Sequence, residues 1–440
     1  MSCSTRMGSW SIDARVRDGR DRRLSPRVFS FLGRGKQNVS VQMDADPEGN
    51  HLLQKIREIA GESSCRVSSA LVSGQGRGVV SDGILLPGQD VCRVPMDCIV
   101  MTPARAVQMS DGLQALDEHI VAELPDWTIL ALYLVDVMQQ RTNSSLYSAY
   151  SHVLPQETGC VLEWSDDDVE LLRGSHLHTI ASEIRHAAES TMADVEALPC
   201  PEVYKDRKML VWALSILLTR VVRLGQDLQA LCPGLDFFNH DCSSESFILL
   251  DENNRVYVKA DRLYMPGDQV MISYGNQKTR GEFLLQYGFL PPASEKTYDA
   301  CLFPIDIVLE DGDDVVSDGM GEKVFPLSLQ GLPEGILKYA AVASIQEQQS
   351  GGYVIKQDNN ILDGSDGDVS KETRKRALKW LMGRMKQRQH DMATSMEDAK
   401  RLVGKDGLDT RRQRIGAVLL HEHRVLSKAQ FMAQQFYRQL

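Results

Sequence analysis

The chain has 440 residues and a formal net charge of −11, with 42% hydrophobic and 25% charged residues. This composition is typical of a soluble globular protein, and the length favours two or three domains. No apolar run reaches the roughly 18–20 residues that span a bilayer, and the negative charge argues against general binding to nucleic-acid phosphates.

The N-terminal segment differs in composition from the rest of the chain. Residues 1–40 contain eight Arg and one Lys against three Asp, with many Ser and no long apolar run. Such a composition is typical of an organelle transit peptide, whereas Asp13, Asp18 and Asp21 are unusual for one and favour a disordered basic tail. Both interpretations place residues 1–43 outside the fold.

Short elements follow in chain order. Residues 50–59 predict a helix, and "GQGRGVVSDGILLPGQDVCRVP" predicts strands broken by Gly and Pro. A helical stretch is expected over about 110–150, and a second helical block over 164–224. Residues 231–290 then return to short strands, with a turn at Pro266-Gly267-Asp268.

Beyond about residue 299 the pattern becomes helical. Residues 353–369 are rich in Gly and Asp and predict a loop, after which Ser370 can cap a helix. The last thirty residues predict another helix. The candidate core positions of these two helices are Leu378, Leu381, Met382, Met385, Val418, Leu419, Val425 and Leu426.

Three short motifs carry the chemistry of the chain. "GLDFFNH" ends in Asn239-His240, and about thirty residues later the chain reads "MISYGNQKTRGEFLLQYGF". Each is weak alone, because an Asn-His pair usually satisfies backbone groups and a single tyrosine usually packs in a core. "GQGRG" lacks the order of a dinucleotide-binding loop. Only their combination and order are informative.

In this order the motifs resemble the SET-domain methyltransferases, in the class of the ribulose bisphosphate carboxylase large-subunit lysine methyltransferase. Further blocks that carry the resemblance are "WALSILLTR" and "MATSMEDAKRLV…TRRQRIGAVLLHEHRVL". The resemblance implies an α+β fold: a SET-domain β-fold of short strands with a helical insertion, plus an all-α C-terminal substrate-binding domain. The expected limits are 1–43 for the N-terminal segment, 44–298 for the SET domain with its insertion at about 160–225, and 299–440 for the helical domain.

The resemblance also assigns a cofactor and a site. S-adenosylmethionine is the implied cofactor, and its expected binding residues are Gln75, Gly76, Arg77, Arg220, Asp236, Asn239, His240 and Phe289. Tyr274 falls on the family's catalytic tyrosine, and Tyr287 on a second tyrosine that lines the lysine channel. Methyl transfer is an in-line displacement in which positioning supplies much of the catalysis, and a dry aromatic channel lowers the pKa of the acceptor lysine.

Two other functions are compatible with the same fold. One is methylation of a histidine, whose branch carries an Asn two residues after the cofactor Arg and a non-aromatic residue at the second tyrosine. Here those positions hold Val222 and Tyr287, which favours lysine. The other is a catalytically silent adaptor, for which the loss of a site residue would be expected. The catalytic tyrosine and the Arg, Asn and His of the cofactor site are all present.

The remaining expectations concern partners. Nine cysteines lie without CxxC pairs or metal-ligand spacing, and only Cys301 lies beyond Phe289, so we expect free thiols and no metal. We expect a monomer that acts on a protein presenting a lysine, without nucleic-acid or membrane partners, in the chloroplast or the cytoplasm. The sequence departs from the family's usual motifs at two places. Gln75 replaces the usual Glu, and Arg280-Gly281-Glu282 replaces Asn-Ala-Glu, so the loop after Tyr274 is expected to differ locally.

Overall fold

The computed structural model describes residues 12–13, 42–142, 144–225, 228–275, 278–292, 299–308, 320–348, 370–404 and 410–440. The chain forms two compact units: the first comprises Met1–Thr158 and His186–Asn276, and the second Gly159–Arg185 and Gln277–Leu440. The predicted loop at 353–369 lies outside the described residues, as does most of the N-terminal segment. The prediction that residues 1–43 lie outside the fold is wrong for Ile12–Asp13, which pair with Val222 and Arg223, and for Met43, which pairs with Val72.

The described residues of the first unit form three small sheets. Its strands are β1 (Ile12–Asp13), β2 (Met43–Ala45), β3 (Val67–Val72), β4 (Gly76–Ser81), β5 (Asp90–Pro95), β6 (Val222–Leu224), β7 (Leu228–Ala230), β8 (Asn239–His240), β9 (Leu249–Leu250), β10 (Arg255–Lys259) and β11 (Gln269–Ile272). The strand orders are β2-β3-β4-β11-β8, β5-β10-β9 and β1-β6-β7. Strands β8 and β11 run parallel, with Asn239 opposite Met271 and His240 opposite Ile272.

Helices make up most of the remaining structure. They are α1 (Pro47–Ala60), α2 (Met96–Ile99), α3 (Pro103–Met109), α4 (Asp111–Gln114), α5 (Glu118–Glu123), α6 (Asp126–Met138), α7 (Ser145–Val153), α8 (Asp166–Glu170), α9 (His176–Ala197), α10 (Arg207–Arg220), α11 (Arg280–Tyr287), α12 (Ile336–Gln348), α13 (Lys371–Asp391), α14 (Met396–Gly404) and α15 (Thr410–Gln439). Short 3₁₀ turns occur at Glu62–Ser64, Val161–Glu163, Glu202–Lys205 and Leu235–Phe237.

Helix α1 confirms the first predicted helix and extends it by a few residues. It begins after Asp46, whose side chain accepts a hydrogen bond from Gly49 N at 3.2 Å and so caps the helix. Leu52, Leu53 and Ile56 on one face are fully buried. The long helical stretch predicted over 110–150 is instead broken into the four helices α4 to α7.

Helix α11 corrects the prediction of strands throughout 231–290. Thr279 Oγ1 accepts from Glu282 N at 3.2 Å, and Glu282 Oε2 accepts from Thr279 N at 2.7 Å, which is a complete capping box. The helix ends at Gly288, with φ of 73°. A Cβ at this position would lie 2.6 Å from the carbonyl carbon of Gly159, so only glycine fits. The predicted turn at residues 266–268 is present, since Asp268 N donates to Met265 O.

The C-terminal part of the second unit is mostly helical, as predicted, but it is not all-α. Strands β12 (Cys301–Val308) and β13 (Met320–Leu327) pair antiparallel along their whole length. The alternate residues Cys301, Phe303, Ile305 and Ile307 are buried. This two-residue period is the signature of a half-buried strand, and it is visible in the sequence.

The two predicted C-terminal helices are confirmed. Ser370 caps α13, its side chain accepting from Thr373 N at 3.2 Å. Of the predicted core positions, Met382 is half-buried, and the others are buried: Leu378, Leu381, Met385, Val418, Leu419, Val425 and Leu426. No helix in the described ranges is long and apolar enough to cross a membrane. None of the eight cysteines in these ranges forms a disulfide.

Candidate active site

The parallel pair β8–β11 brings the Asn-His motif beside the catalytic-tyrosine candidate. Tyr274 N donates to His240 Nδ1 at 3.2 Å, and the two rings lie 5.3 Å apart. The Tyr274 hydroxyl donates to Phe238 O at 2.7 Å. Burial raises the pKa of Tyr274, with Arg220 opposing this effect and Asp236 adding to it. The hydroxyl therefore stays neutral at physiological pH.

Close approach of three strands shapes the site around Asn239. A Cβ on Gly78 would lie 2.8 Å from Asn239 Nδ2 and 2.9 Å from Gln269 Nε2, so a side chain at this position of β4 would displace both amides. Asn239 Nδ2 is buried, and it finds no hydrogen-bond acceptor within the described ranges. A buried donor without a partner is costly, and it suits a ligand that brings an acceptor.

Arg220 and Asp236 form an ion pair at the end of α10. Arg220 Nε lies 3.5 Å from Asp236 Oδ2, and the Asp236 side chain is 1% exposed. The same oxygen accepts from the Tyr150 hydroxyl at 2.7 Å, while Oδ1 accepts from Gly234 N at 3.0 Å. Burial raises the pKa of Asp236, and Arg220 and Tyr150 counteract it. Tyr150 is not among the residues predicted from the sequence, because nothing local marks it.

Arg77 is held from several sides. Its Nε and Nη2 donate to the two oxygens of Asp46 at 2.5 and 3.1 Å, and its Nη1 donates to Val153 O. Its guanidinium carbon lies 5.3 Å from the centre of the Phe237 ring. Burial raises the pKa of Asp46, but hydrogen bonds from Arg77 and Ser69 outweigh it and lower the pKa. The Arg77 side chain therefore joins strand β4 to Asp46 at the start of α1 and to Val153 at the end of α7.

The other residues of the predicted Gly-rich segment lie at the start of β4. Gln75 Oε1 accepts from Gln269 Nε2 at 3.0 Å, which links this turn to β11. Gly76 has φ of 75°, a left-handed conformation that favours glycine. The main chain closes the turn before Arg77, with Gln75 N donating to Val72 O at 3.0 Å.

Tyr287 and Phe289 belong to the second unit. Together with Phe283 they form an aromatic cluster with ring separations of 5.5, 5.8 and 6.1 Å. Lys278 Nζ lies 6.0 Å from the centre of the Tyr287 ring. The tyrosine is 7% exposed, so its ring is packed on most sides.

The residues of the first unit fit the cofactor implied by the sequence. A guanidinium has five donors, so pairing with Asp236 leaves Arg220 able to bind a carboxylate. Asn239 offers an amide donor for the acceptor atoms of an adenosine. Among the described residues there is no group of three or more His, Cys, Asp or Glu side chains that could hold a metal.

Two family models match the chain. The SET domain model matches residues 76–275, and the Rubisco LSMT substrate-binding model matches residues 314–426. The first match contains nearly all the predicted site residues of the first unit. The second covers most of the predicted helical domain.

Relatives match over most of the chain. It is 25% identical over 336 residues to the [fructose-bisphosphate aldolase]-lysine N-methyltransferase of Arabidopsis thaliana, covering 69% of this chain and 67% of the relative. It is 25% identical to the Rubisco large subunit N-methyltransferase of Pisum sativum, covering 61% of this chain and 59% of the relative. The structure of Rubisco LSMT bound to AdoMet superposes with a TM-score of 0.70, covering 90% of this chain and 93% of that one at 19% identity, which shows a shared fold.

Proposed function

Since the chain carries a SET domain at residues 76–275 followed by a Rubisco LSMT substrate-binding domain at residues 314–426, we propose that it is an S-adenosylmethionine-dependent protein-lysine N-methyltransferase. One observation carries the proposal. The parallel pairing of β8 with β11 sets Asn239-His240 against the strand that leads to Tyr274. The motif that we assign to cofactor binding therefore lies beside a neutral, oriented hydroxyl.

Each predicted residue has a role in this proposal. S-adenosylmethionine supplies a methyl group on a sulfonium centre when it is bound. Arg220 pairs with the cofactor carboxylate, and Asn239 and His240 bind the adenosine part. The main chain at Gln75, Gly76 and Arg77 contacts the cofactor, and Asp236 supports Arg220. Phe289 packs on the adenine, and Tyr287 forms a wall of the lysine channel.

Tyr274 positions the acceptor. Its hydroxyl proton is directed at Phe238 O at 2.7 Å, so the hydroxyl oxygen can act as the acceptor for a hydrogen bond from the lysine amine. Because burial raises the pKa of Tyr274, this hydroxyl is a poor general base. The acceptor lysine therefore has to lose its proton to water before it attacks.

The domain limits and location belong to the same proposal. We assign residues 44–298 to the catalytic domain and 299–440 to substrate binding, with residues 1–43 as the N-terminal segment. The two plant relatives described above are named chloroplastic, and the Arg- and Ser-rich N-terminus supports the same compartment here. A fluorescent fusion of residues 1–43 that stays in the cytosol of a plant cell would exclude chloroplast import.

The activity can be tested directly. The protein is incubated with labelled S-adenosylmethionine and purified Rubisco or fructose-bisphosphate aldolase, the proteins named in its relatives, and then with a stromal lysate. Peptide mass spectrometry locates any label, with Tyr274→Phe as the matched control. Label on lysine supports the proposal, whereas label on histidine assigns the protein to the histidine branch. Cofactor binding without transfer to any of these proteins points to the silent adaptor.

A further inference from the structure

Tyr150 lies in helix α7, 86 residues before Asp236, and its hydroxyl reaches that carboxylate. The hydroxyl donates to Asp236 Oδ2 at 2.7 Å, and the tyrosine is fully buried. Asp236 Oδ1 accepts from Gly234 N at 3.0 Å. The carboxylate is thus held through both oxygens and keeps one orientation.

This fixed carboxylate faces the guanidinium of Arg220. Arg220 Nε lies 3.5 Å from Asp236 Oδ2, the same oxygen that Tyr150 holds. Arg220 also donates from Nη1 to Thr219 Oγ1 at 3.2 Å. Because Arg220 is 26% exposed at the end of α10, its guanidinium needs such contacts to keep one orientation.

We propose that Tyr150 is a positioning residue for S-adenosylmethionine, holding Asp236 so that Asp236 orients Arg220 towards the cofactor carboxylate. The proposal rests on the proposed function, because Arg220 is the carboxylate partner only if the cofactor binds here. Tyr150 acts through two residues and needs no contact with the cofactor itself. Its effect is therefore on affinity, with little effect on the chemical step.

Tyr150 is itself placed by packing. Its ring meets that of Tyr147 edge-on at 6.3 Å, and Tyr147 meets Tyr133 edge-on at 5.5 Å. The Tyr147 hydroxyl donates to Ile99 O at 2.7 Å. The edge-on contact with the Tyr147 ring, which a phenylalanine at that position would keep, holds the Tyr150 hydroxyl at a fixed distance from Asp236.

The positioning role of Tyr150 can be measured through the protonation of Asp236. Among the described residues, the titratable groups that face it are Arg220, Tyr147, Tyr150, Tyr274 and Cys232. Burial raises the pKa of the three tyrosines and the cysteine, so all four are neutral at physiological pH. Burial also raises the pKa of Asp236, and the Tyr150 hydrogen bond opposes that rise. Without this bond Asp236 takes up a proton at a higher pH, and Arg220 loses its partner.

The test measures cofactor affinity by calorimetry from pH 6 to pH 9. Tyr150→Phe keeps the ring and removes only the hydroxyl. We expect its Kd for S-adenosylmethionine to rise about tenfold at pH 8 and further at pH 6, while kcat at saturating cofactor changes less than about twofold. The matched control is Tyr147→Phe, one helical turn earlier and equally buried. We expect Tyr147→Phe to lower the melting temperature about as much as Tyr150→Phe does, and to leave the Kd for S-adenosylmethionine within about twofold of the parent's.

A second variant keeps the test independent of whether Tyr150→Phe folds. Asp236→Asn cannot titrate, so it should weaken binding at all pH values and abolish the additional loss at low pH. The double variant with Tyr150→Phe should bind S-adenosylmethionine no more weakly than Asp236→Asn alone. If the parent binds the cofactor and Tyr150→Phe binds equally well, or if Tyr147→Phe weakens binding as much, the positioning role is wrong. If the parent does not bind S-adenosylmethionine at all, the proposed function itself fails.

Discussion

Tyr274, the proposed catalytic residue, is oriented by its surroundings. Its main chain is tied to His240, and its hydroxyl to Phe238 O. A neutral oriented hydroxyl can bind the acceptor amine and the transferred methyl group, but it cannot remove the proton from the amine. Its contribution is therefore to geometry.

Replacing Tyr274 by Phe should lower kcat by about 10²–10³-fold, since losing one positioning group typically costs about 3–4 kcal/mol in the barrier. The Kd for S-adenosylmethionine should stay nearly unchanged, as calorimetry would show. The rate of the parent should rise with pH as the acceptor lysine deprotonates, and the midpoint should be the same in Tyr274→Phe. A midpoint that moves with this substitution would make the tyrosine a general base.

Arg220→Ala and Asn239→Ala should weaken cofactor binding first. Each substitution removes hydrogen bonds to the cofactor in a partly buried site. Losing the charged hydrogen bonds of Arg220 should reduce the binding free energy more, by about 2–3 kcal/mol. Thr191→Val serves as the control, because its buried hydroxyl donates to Ala187 O within its own helix α9. Unchanged affinity in both site variants would defeat the proposed cofactor site.

At the scale of elements, Arg77 joins parts of the first unit that are far apart in sequence. Asp46, at the start of α1, takes two of its hydrogen bonds, and Val153 at the end of α7 takes another. Phe237, just before β8, lies under its guanidinium. One side chain thus sets the spacing between β4, two helices and the Asn-His strand.

Asp46→Asn should therefore destabilise the fold by about 3–5 kcal/mol at pH 7, the usual cost of breaking a buried pair. The folded-state pKa of Asp46 is lowered, so its stabilisation is complete above its unfolded value of about 4 and is lost as the pH falls through the folded value. Urea unfolding should show the difference between parent and variant shrinking in acid. Asp82→Asn, at the more exposed pair with Arg57, should cost far less.

The elements show where sequence reasoning succeeds. The helices α1, α13 and α15 and the strands β10 and β11 are predicted, because cap residues and apolar spacing are local signals. Helix α11 and the β12–β13 hairpin are missed although Thr279-Glu282 and the alternation in Cys301–Val308 are visible. The clamp of Arg77 by Asp46 and the reach of Tyr150 to Asp236 could not be predicted, since they join residues 31 and 86 positions apart. Such pairs depend on tertiary packing.

At the scale of the whole molecule, charge is unevenly distributed. The chain carries a net charge of −11, yet α13 and α15 are rich in Lys and Arg. Arg376 and Lys379 are exposed, which suits attraction of an acidic surface. Arg412 is different: it donates to the buried Asp168 at 2.6 Å and thus has a structural role.

Charge reversal at Arg376 and Lys379 should raise the KM for a protein substrate severalfold and reduce the salt dependence of the parent's rate. The Kd for S-adenosylmethionine should not change. Arg255→Glu with Lys259→Glu makes the same change of net charge on the exposed side chains of β10 and should leave KM unaltered. If both pairs of variants behave alike, the basic residues of α13 serve solubility only.

In the proposed cofactor role of Asn239, its buried amide would tie the lifetime of the protein to the methyl donor. A donor that finds no acceptor in the described protein costs about 1–3 kcal/mol, and a bound cofactor relieves that cost. Ligand at one hundred times its Kd adds about 2.7 kcal/mol of stability, so the melting temperature should rise with S-adenosylmethionine and rise less in Asn239→Ala. In a cell short of methionine, more of the protein would open and be degraded. Its abundance, measured by pulse–chase labelling, would then follow methyl-donor supply without any change in transcription.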